Sequence, residues 1–339
     1  MLDPFFLKTY LHPLGRTTYF NKNEQGSLYF AHCNSGFSMR ILARKGFCLH
    51  LKFISEVKLE NQAQYVVVFL DQKFYKKYAF HHQEEQLMLE FPSLEGEHLF
   101  TLIKVNEPQY TRLYLLSVAA TKGEILPYQD SFTKKMEFYG ASTTSGFGIL
   151  GNKEDPFTLK TEDSSLSFSY LTSQMLGYET SVISYSGMSM ALKLHQPFTL
   201  LDVYDKMDGN LPWDFSFYTP DYIVIDIGTN DNEKLKQIAE DQKEEASKHY
   251  YKNLHQLAFL LHEKHPMAAF IFIHGMMVHL SPYLVESIER VKEELKKEKV
   301  AAYVLSFIPN QEGACAHPNQ EAHQKIAAQI ADFILKSEK

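Results

Sequence analysis

The hydrophobic pattern of this chain changes near residues 123–127, and this change divides the chain into two halves of different fold class. Before it, short segments alternate apolar and polar residues between frequent turn residues, a pattern typical of antiparallel β-strands. After it, near-continuous apolar segments alternate with helical patterns, which is typical of a parallel sheet covered on both faces. Because 339 residues exceed the usual size of one hydrophobic core, we expect two domains.

We predict a multidomain protein. The pattern of the first half indicates that the N-terminal domain, residues 1–128, is an all-β sandwich of the jelly-roll type. No segment between residues 27 and 121 has a helical pattern. The predicted strands are Ser27–His32, Ser38–Ala43, Phe47–Ile54, Gln64–Leu70, Phe74–Phe80, Gln86–Phe91, His98–Val105 and Thr111–Ala119.

The second half, residues 129–339, predicts a flavodoxin-like α/β domain with three layers, in which helices cover both faces of a parallel sheet. Its predicted strands are Met136–Tyr139, Thr180–Tyr185, Tyr222–Ile227, Ala269–Ile273 and Ala301–Phe307. Helices are predicted from Pro282, between Asn232 and Lys264, and between Gln320 and Leu335.

Composition excludes several classes of function. A net charge of −7 argues against a broad nucleic-acid surface. The three cysteines have neither metal-ligand spacing nor the even count of a disulfide framework, so no metal is expected. The first residues lack a signal-peptide pattern, and the most apolar stretch, 268–280, is too short to span a bilayer. We therefore expect a cytoplasmic protein with no membrane partner, and the sequence carries no signal for an oligomeric state.

Three short segments carry the residue types of acyl transfer. They are Gly140–Gly146, Gly228–Asp231 and His317–Pro318, and each follows a predicted strand. Ligands of open α/β sheets bind at the edge formed by the carboxyl ends of the strands. Serine, asparagine and histidine can supply the nucleophile, the oxyanion donor and the base. Together these segments predict an ester hydrolase.

Ser142 is the candidate nucleophile because it lies in a Gly-x-Ser turn directly after a strand. A helix N-cap is an equally common role for a serine at such a position. Ser145 and Thr143 are alternative nucleophiles in the same segment.

The other candidates also have structural alternatives. The amide of Asn230 can donate to an oxyanion, but asparagine is also common in turns after strands. The backbone N–H of Gly187 is a possible second donor, or the glycine simply turns the chain. Pro318 holds His317 out of helical geometry, so that its ring can project from a loop. His323 lies within a helical pattern and is interpreted as a packing or surface residue.

The order Ser142, Gly187, Asn230, His317 and the local contexts of these residues resemble the four blocks of the SGNH (GDSL-type) hydrolases. This resemblance implies that Ser142 is the nucleophile and His317 the base. It also implies that the N–H groups of Ser142 and Gly187 and the Asn230 amide form the oxyanion hole.

Further segments are similar to the two-domain acetyl esterases of carbohydrate esterase family two. The segments that carry the likeness are Leu14–Arg16, Thr101–Glu107, Glu137–Ser142, Pro212–Phe215, Gly275–Met277, Gly313–Asn319 and His323–Ala327. The resemblance implies an O-acetyl esterase that acts on acetylated oligosaccharides of the xylan or mannan type. It implies no metal and no organic cofactor.

The chain departs from the family pattern at two positions. Ala141 stands where the family has an aspartate before the nucleophile, which is mostly structural there. Cys315 stands where the family has the triad aspartate, two residues before His317. A neutral thiol cannot stabilise an imidazolium as a carboxylate does. The resemblance includes members in which a backbone carbonyl orients the histidine, and Glu312 is a candidate substitute carboxylate.

Trp213 is the only tryptophan, and it is a candidate stacking platform for a sugar ring or else a core residue. Three other functions stay open at this point: a non-catalytic carbohydrate-binding protein, a general short-chain esterase or lysophospholipase, and an enzyme that transfers the acyl group between sugars.

Overall fold

The structure, a computed structural model, describes residues 3–129, 132 and 134–338. The chain forms two compact units that divide between residues 131 and 132. Within the described residues no helix is both long and apolar enough to cross a membrane.

The first unit begins with a short helix that the hydrophobic pattern did not predict. Helix α1 (Pro4–Tyr10) starts after Asp3, whose carboxylate accepts a 2.7 Å hydrogen bond from the N–H of Phe6. Nine strands follow and pair antiparallel in one sheet. They are β1 (His12–Leu14), β2 (Thr17–Lys22), β3 (Gln25–Phe30), β4 (Gly36–Val57), β5 (Gln64–Leu70), β6 (Lys73–Phe80), β7 (Glu84–Phe91), β8 (Gly96–Lys104) and β9 (Thr111–Leu126).

Strand β4 pairs with several other strands of the sheet. The two predicted strands Ser38–Ala43 and Phe47–Ile54 are halves of this one 22-residue strand. Its first half pairs with β8, its second half pairs with β7, and both halves pair with β9. The register on β9 shifts between Ala43 and Cys48, where Gly46 has a φ of 77°. This register shift coincides with the break in the hydrophobic pattern that predicts two separate strands. Residues from most of the strands form one core, including Phe30, Phe37, Leu49, Val68, Phe100 and Leu115.

The second unit has a five-stranded sheet in which every pair is parallel. Its strands are β10 (Lys135–Gly140), β11 (Glu179–Ser184), β12 (Tyr222–Asp226), β13 (Ala269–His274) and β14 (Ala302–Ser306). Their order is β11-β10-β12-β13-β14, the doubly wound order of the flavodoxin-like fold. The predicted combination of an all-β first half with a parallel α/β second half is confirmed.

Helices cover both faces of this sheet. They are α2 (Ser142–Ser145), α3 (Phe168–Leu176), α4 (Leu200–Val203), α5 (Thr229–Lys236), α6 (Glu240–Lys264), α7 (Pro282–Lys297) and α8 (Gln320–Ser337). Helices α6 and α7 share one core with the strands, while α3 and α8 pack together on the other face. The single helix predicted between Asn232 and Lys264 is two helices, because Ala239 adopts extended backbone between α5 and α6.

The register of the sheet sets where the candidate site lies. Gly140, the last residue of β10, is aligned with Ser184 of β11 and with Asp226 of β12. The loops that follow these three strands therefore leave the sheet at the same edge.

Phe138 of β10 lies on the face of the sheet that α3 and α8 cover. It is 0% exposed, and the Phe168 ring of α3 meets it edge-on with ring centroids 6.0 Å apart. Phe138→Ala should lower the free energy of unfolding of the second unit by about 3–5 kcal/mol, the usual cost of truncating a buried phenylalanine. Phe217, which is 72% exposed, is the matched control, and Phe217→Ala should change it by less than about 0.5 kcal/mol. Chemical denaturation measures both, and equal losses would contradict the assignment of Phe138 to the core.

Candidate active site

The turn after β10 places Ser142 at the edge of the sheet. Ala141 occupies the N-cap position of α2, so Ser142 is the first residue of the helix, and the interpretation of Ser142 as a cap is wrong. Gly140 is needed before it, because a Cβ at that position would lie 2.0 Å from Thr144 Oγ1. Ser142 is 8% exposed, so its hydroxyl is largely shielded from water.

The structure brings Ser142 together with His317. The Ser142 Oγ lies 2.9 Å from His317 Nε2, a hydrogen-bond distance between residues 175 positions apart in sequence. Burial lowers the pKa of His317 to about 4, although hydrogen bonds to the backbone act in the opposite direction. The imidazole is therefore neutral near pH 7, which is the form that can accept a proton from a hydroxyl.

A backbone carbonyl orients this imidazole. His317 Nδ1 lies 3.1 Å from the carbonyl oxygen of Cys315. Because a carbonyl only accepts, Nδ1 carries the proton and Nε2 presents its lone pair to Ser142. Cys315 and Ala316 have φ values of 52° and 55°, and this left-handed turn directs the carbonyl back toward the ring.

Glu312 does not take the place of the missing carboxylate in this structure. Its side chain is exposed, and its backbone N–H donates to Asn310 Oδ1 at 3.3 Å. The thiol of Cys315 points elsewhere, since its Sγ lies 3.6 Å from the carbonyl oxygen of Asp155. Of the two candidate orienting residues, Cys315 contributes through its backbone carbonyl, and among the described residues no hydrogen bond joins Glu312 to the ring.

The three candidate oxyanion donors follow adjacent strands. Ser142 begins α2 after β10, Gly187 follows β11, and Asn230 lies in the first turn of α5 after β12. One N–H of the Asn230 amide donates to the carbonyl of Met188 at 2.9 Å, and the amide has a second N–H. Gly187 has a φ of 77°, and a Cβ there would approach His195 Cβ to 2.7 Å.

The two other candidate nucleophiles point away from the imidazole. The Thr143 hydroxyl donates to Asp226, and the Ser145 hydroxyl donates to the carbonyl of Ser142 at 2.9 Å. Ser142 therefore has the position of a nucleophile, while the hydroxyls of Thr143 and Ser145 form hydrogen bonds that hold the turn.

Sequence reasoning missed Asp226, the last residue of β12. Its Oδ2 accepts from the hydroxyls of Thr143 and Thr144, the latter at 2.8 Å. Burial raises the pKa of this carboxyl to about 6. Asp226 thus ties the nucleophile turn to the neighbouring strand. A carboxylate at the end of an otherwise apolar strand was the only sequence signal for it.

Asp231 lies in the predicted segment Gly228–Asp231, but its role was missed. Its carboxylate is buried and accepts from the backbone N–H groups of Met190, Ala191 and Leu192 at 2.7, 2.8 and 2.7 Å. Burial raises the pKa of Asp231, while these hydrogen bonds act to lower it. Asp231 therefore holds the loop that contains Gly187 close to α5.

Trp213 lies outside this site, and we correct the prediction that it contacts substrate there. It is 8% exposed and lines a depression together with Leu260 and Lys264 of α6. The last residues of α6 precede β13, so this depression lies at the amino edge of the sheet, opposite Ser142 and His317. The alternative interpretation of Trp213, as a largely buried residue, fits its placement.

Two further predictions concern metals and His323. Among the described residues, no group of three or more histidines, cysteines and acidic residues is placed to hold a metal ion. His323 lies buried in α8, where its Nδ1 accepts from the N–H of Phe168 at 3.1 Å, so it packs against α3.

Comparison with known families agrees with this geometry. Residues 136–330 match the GDSL-like lipase/acylhydrolase family. The chain belongs to this family. The match covers the parallel sheet and reaches into α8, so it includes all four residues of the predicted Ser-Gly-Asn-His order.

Two curated relatives of this GDSL-like protein are esterases by name. The cellulase/esterase CelE of Acetivibrio thermocellus is 33% identical over 144 residues, which is 40% of this chain but only 17% of CelE. An acetylxylan esterase/glucomannan deacetylase of Cellvibrio japonicus is 22% identical over 336 residues, 95% of this chain and 87% of that protein.

Solved structures show that the two-domain fold of the GDSL-like protein is a known one. A family two carbohydrate esterase from Clostridium thermocellum in complex with cellohexaose has a TM-score of 0.83 at 21% identity, covering 96% of this chain and 98% of that one. An acetyl xylan esterase from Butyrivibrio proteoclasticus has a TM-score of 0.82 at 20% identity, covering 97% and 96%. The fold predicted by resemblance to family two is confirmed.

The backbone contact at His317 generates a prediction for Cys315. Because the acceptor is the Cys315 carbonyl and not its thiol, Cys315→Ala should leave kcat/KM for 4-nitrophenyl acetate within about threefold of wild type, the range of a neutral substitution. Cys315→Asp should also retain activity, since aspartate tolerates the left-handed backbone at this position. A loss above about tenfold in the alanine variant would show that the thiol takes part.

Proposed function

We propose that this protein is a serine-dependent carbohydrate O-acetyl esterase. The observation that carries the proposal is the 2.9 Å contact between Ser142 Oγ and His317 Nε2, with Nδ1 held by the Cys315 carbonyl, in a member of an acylhydrolase family. The substrate class is taken from the relatives named above, whose printed names include acetylxylan esterase and glucomannan deacetylase.

In the first half of the reaction, His317 Nε2 accepts the proton of Ser142 as Oγ attacks the acetyl carbonyl carbon. The carbonyl oxygen becomes an oxyanion, which the N–H groups of Ser142 and Gly187 and the Asn230 amide stabilise. The bond from the carbonyl carbon to the sugar oxygen then breaks, and Nε2 returns its proton to that oxygen. The deacetylated sugar leaves, and Ser142 carries the acetyl group.

In the second half, His317 accepts a proton from a water molecule whose oxygen attacks the acetyl-serine. The bond to Ser142 Oγ breaks, the proton returns to Oγ, and acetic acid leaves and loses its proton to water as acetate. His317 is positively charged in both transition states, and the neutral Cys315 carbonyl stabilises that charge less than a carboxylate would. The reaction needs no external reactant besides water.

The proposal is tested by acetate release from acetylated xylo- and manno-oligosaccharides and from 4-nitrophenyl acetate. Ser142→Ala should lower kcat by about 10³-fold or more, on the scale of removing a triad member. The matched control is Ser145→Ala, which removes a buried hydroxyl three positions away and should lower kcat far less.

The same experiment separates the alternatives. Binding of oligosaccharides without acetate release would indicate a non-catalytic carbohydrate-binding protein. A preference for esters with long acyl chains would indicate a lysophospholipase or general esterase. Acetyl transfer to an added sugar in place of water would indicate an acyltransferase, an activity named for one protein of similar fold, a salicylyl-acyltransferase with a TM-score of 0.64.

The oxyanion role predicts a kinetic signature for Asn230. Asn230→Ala should lower kcat by about 10²–10³-fold and change KM little, because the donor acts mainly in the transition state. The side chain also anchors the Met188 carbonyl, so circular dichroism and thermal unfolding should accompany the kinetics. A change confined to KM would show that Asn230 serves only to place the substrate or the loop.

The lowered pKa of His317 predicts unusual activity at acid pH. The reaction needs the neutral imidazole, and its pKa in the folded protein is about 4, well below the ordinary 6.5. As pH falls, kcat/KM should therefore stay nearly constant through 6.5 and decline only toward 4. Rates of acetate release between pH 4 and 8 measure this profile.

Asp226 titrates in part of the same range, with a pKa of about 6, and it contacts the nucleophile turn. Asp226→Asn is the control for the pH profile. An acid limb near pH 6 that persists in this variant would contradict the lowered pKa of His317.

A further inference from the structure

Two phenylalanines stand beside the candidate base. The Phe147 ring centroid lies 4.4 Å from the centroid of the His317 imidazole, at an interplanar angle of 40°. The Phe157 ring stacks on Phe147 with centroids 4.0 Å apart and planes within 7°. Both side chains are only half-buried, so part of this flat aromatic surface faces solvent. Phe147 and Phe157 are called the aromatic pair below.

The loop that carries the aromatic pair is fastened to the loop that carries the base. The N–H of Ala314 donates to the carbonyl of Gly148 at 2.9 Å, and the N–H of Cys315 donates to the carbonyl of Asp155 at 3.1 Å. The N–H of Ala316 donates to the carbonyl of Lys153 at 3.3 Å. The aromatic pair therefore has a fixed position relative to the imidazole, as a preorganised binding surface requires.

Gly148 allows this close approach. Its φ is 69°, and a Cβ at this position would lie 2.6 Å from the backbone oxygen of Ala314. A side chain here would force the two loops apart.

The proton path decides which part of the substrate lies near the aromatic pair. His317 Nε2 must return its proton to the sugar oxygen that leaves, so the sugar lies on the imidazole side of the scissile bond. The acetyl oxygen lies on the other side, toward the donors of Ser142 and Asn230. The Phe147 ring borders this imidazole, and it is therefore a candidate surface for the departing sugar ring.

We infer that the aromatic pair is the subsite for the acetylated sugar ring, whose apolar C–H face packs against the phenyl surface. The inference rests on the proposed esterase function and names the contact that would give the enzyme its preference for sugar esters. Trp213, at the opposite edge of the sheet, has no part in this subsite.

A purely structural role for the rings makes a different prediction. If the aromatic pair only shields His317 from water, removing ring surface would raise the pKa of His317 toward its ordinary value. Activity on every acetate ester would then change by the same factor. Phe157 is the better position to test, because its ring stacks on Phe147 and Phe147 is the ring that borders the imidazole.

The test compares Phe157→Leu with wild type on two esters that share the acetyl group. An acetylated xylo-oligosaccharide presents a sugar ring to the aromatic pair, and ethyl acetate presents no ring. We expect kcat/KM to fall about tenfold on the sugar ester and to change by less than about twofold on ethyl acetate. Phe157→Tyr keeps the flat face and should restore the sugar rate. Phe217→Leu changes an exposed phenylalanine beside Trp213 and should alter neither rate.

Binding gives a second measurement that does not depend on turnover. In the Ser142→Ala background, the Kd for the acetylated oligosaccharide by calorimetry should rise about tenfold when Phe157→Leu is added. The acid limb of the wild-type pH profile should keep its midpoint in Phe157→Leu.

Equal losses on both esters, or an acid limb displaced toward pH 6.5, would overturn the subsite and indicate a shielding role. Unchanged rates on both esters and an unchanged Kd would also overturn it, while leaving the esterase function standing. If wild type released acetate from neither ester, the proposed function would fail and the subsite with it.

Discussion

The hydrogen bond from His317 Nδ1–H to the Cys315 carbonyl is the interaction on which the candidate site depends. It fixes the tautomer of the imidazole, and only this tautomer offers a lone pair to Ser142 Oγ 2.9 Å away. The carbonyl faces the ring only because Cys315 and Ala316 adopt left-handed backbone, which costs roughly 1 kcal/mol or more for each non-glycine residue. The backbone hydrogen bonds to the loop after α2 hold this conformation in place.

The turn that carries Ser142 and the loop that carries Gly187 are each held by a buried carboxylate. Asp226 binds the hydroxyls of the α2 turn, and Asp231 binds three consecutive backbone N–H groups of the loop after β11. Both carboxyls are desolvated, so the hydrogen bonds they accept are costly to break. The candidate catalytic groups thus rest on polar contacts between loops of neighbouring strands, as a site that must be rigid before substrate binds requires.

Much of the fold follows from hydrophobic pattern, because the period of apolar residues differs between strands and helices. The five strands of the second unit and helices α7 and α8 were predicted within a few residues. Helix α3 (Phe168–Leu176) was not, since it is rich in serine and threonine and has no strong apolar stripe. The continuity of β4 was hidden by Gly46, whose left-handed backbone accompanies a register shift within one strand.

The sequence by itself determined the order of the domains and the three segments that carry serine, asparagine and histidine. Hydrophobic pattern and strand position are local properties that can be recognised from neighbouring residues. Only the tertiary structure decided which hydroxyl of the α2 turn meets His317 and which group orients the imidazole. It alone placed Trp213 at the edge of the sheet opposite Ser142, and it alone placed Phe147 beside His317. These are contacts between residues distant in sequence or set by backbone torsion angles, and residue type does not encode the direction in which a carbonyl or a ring points.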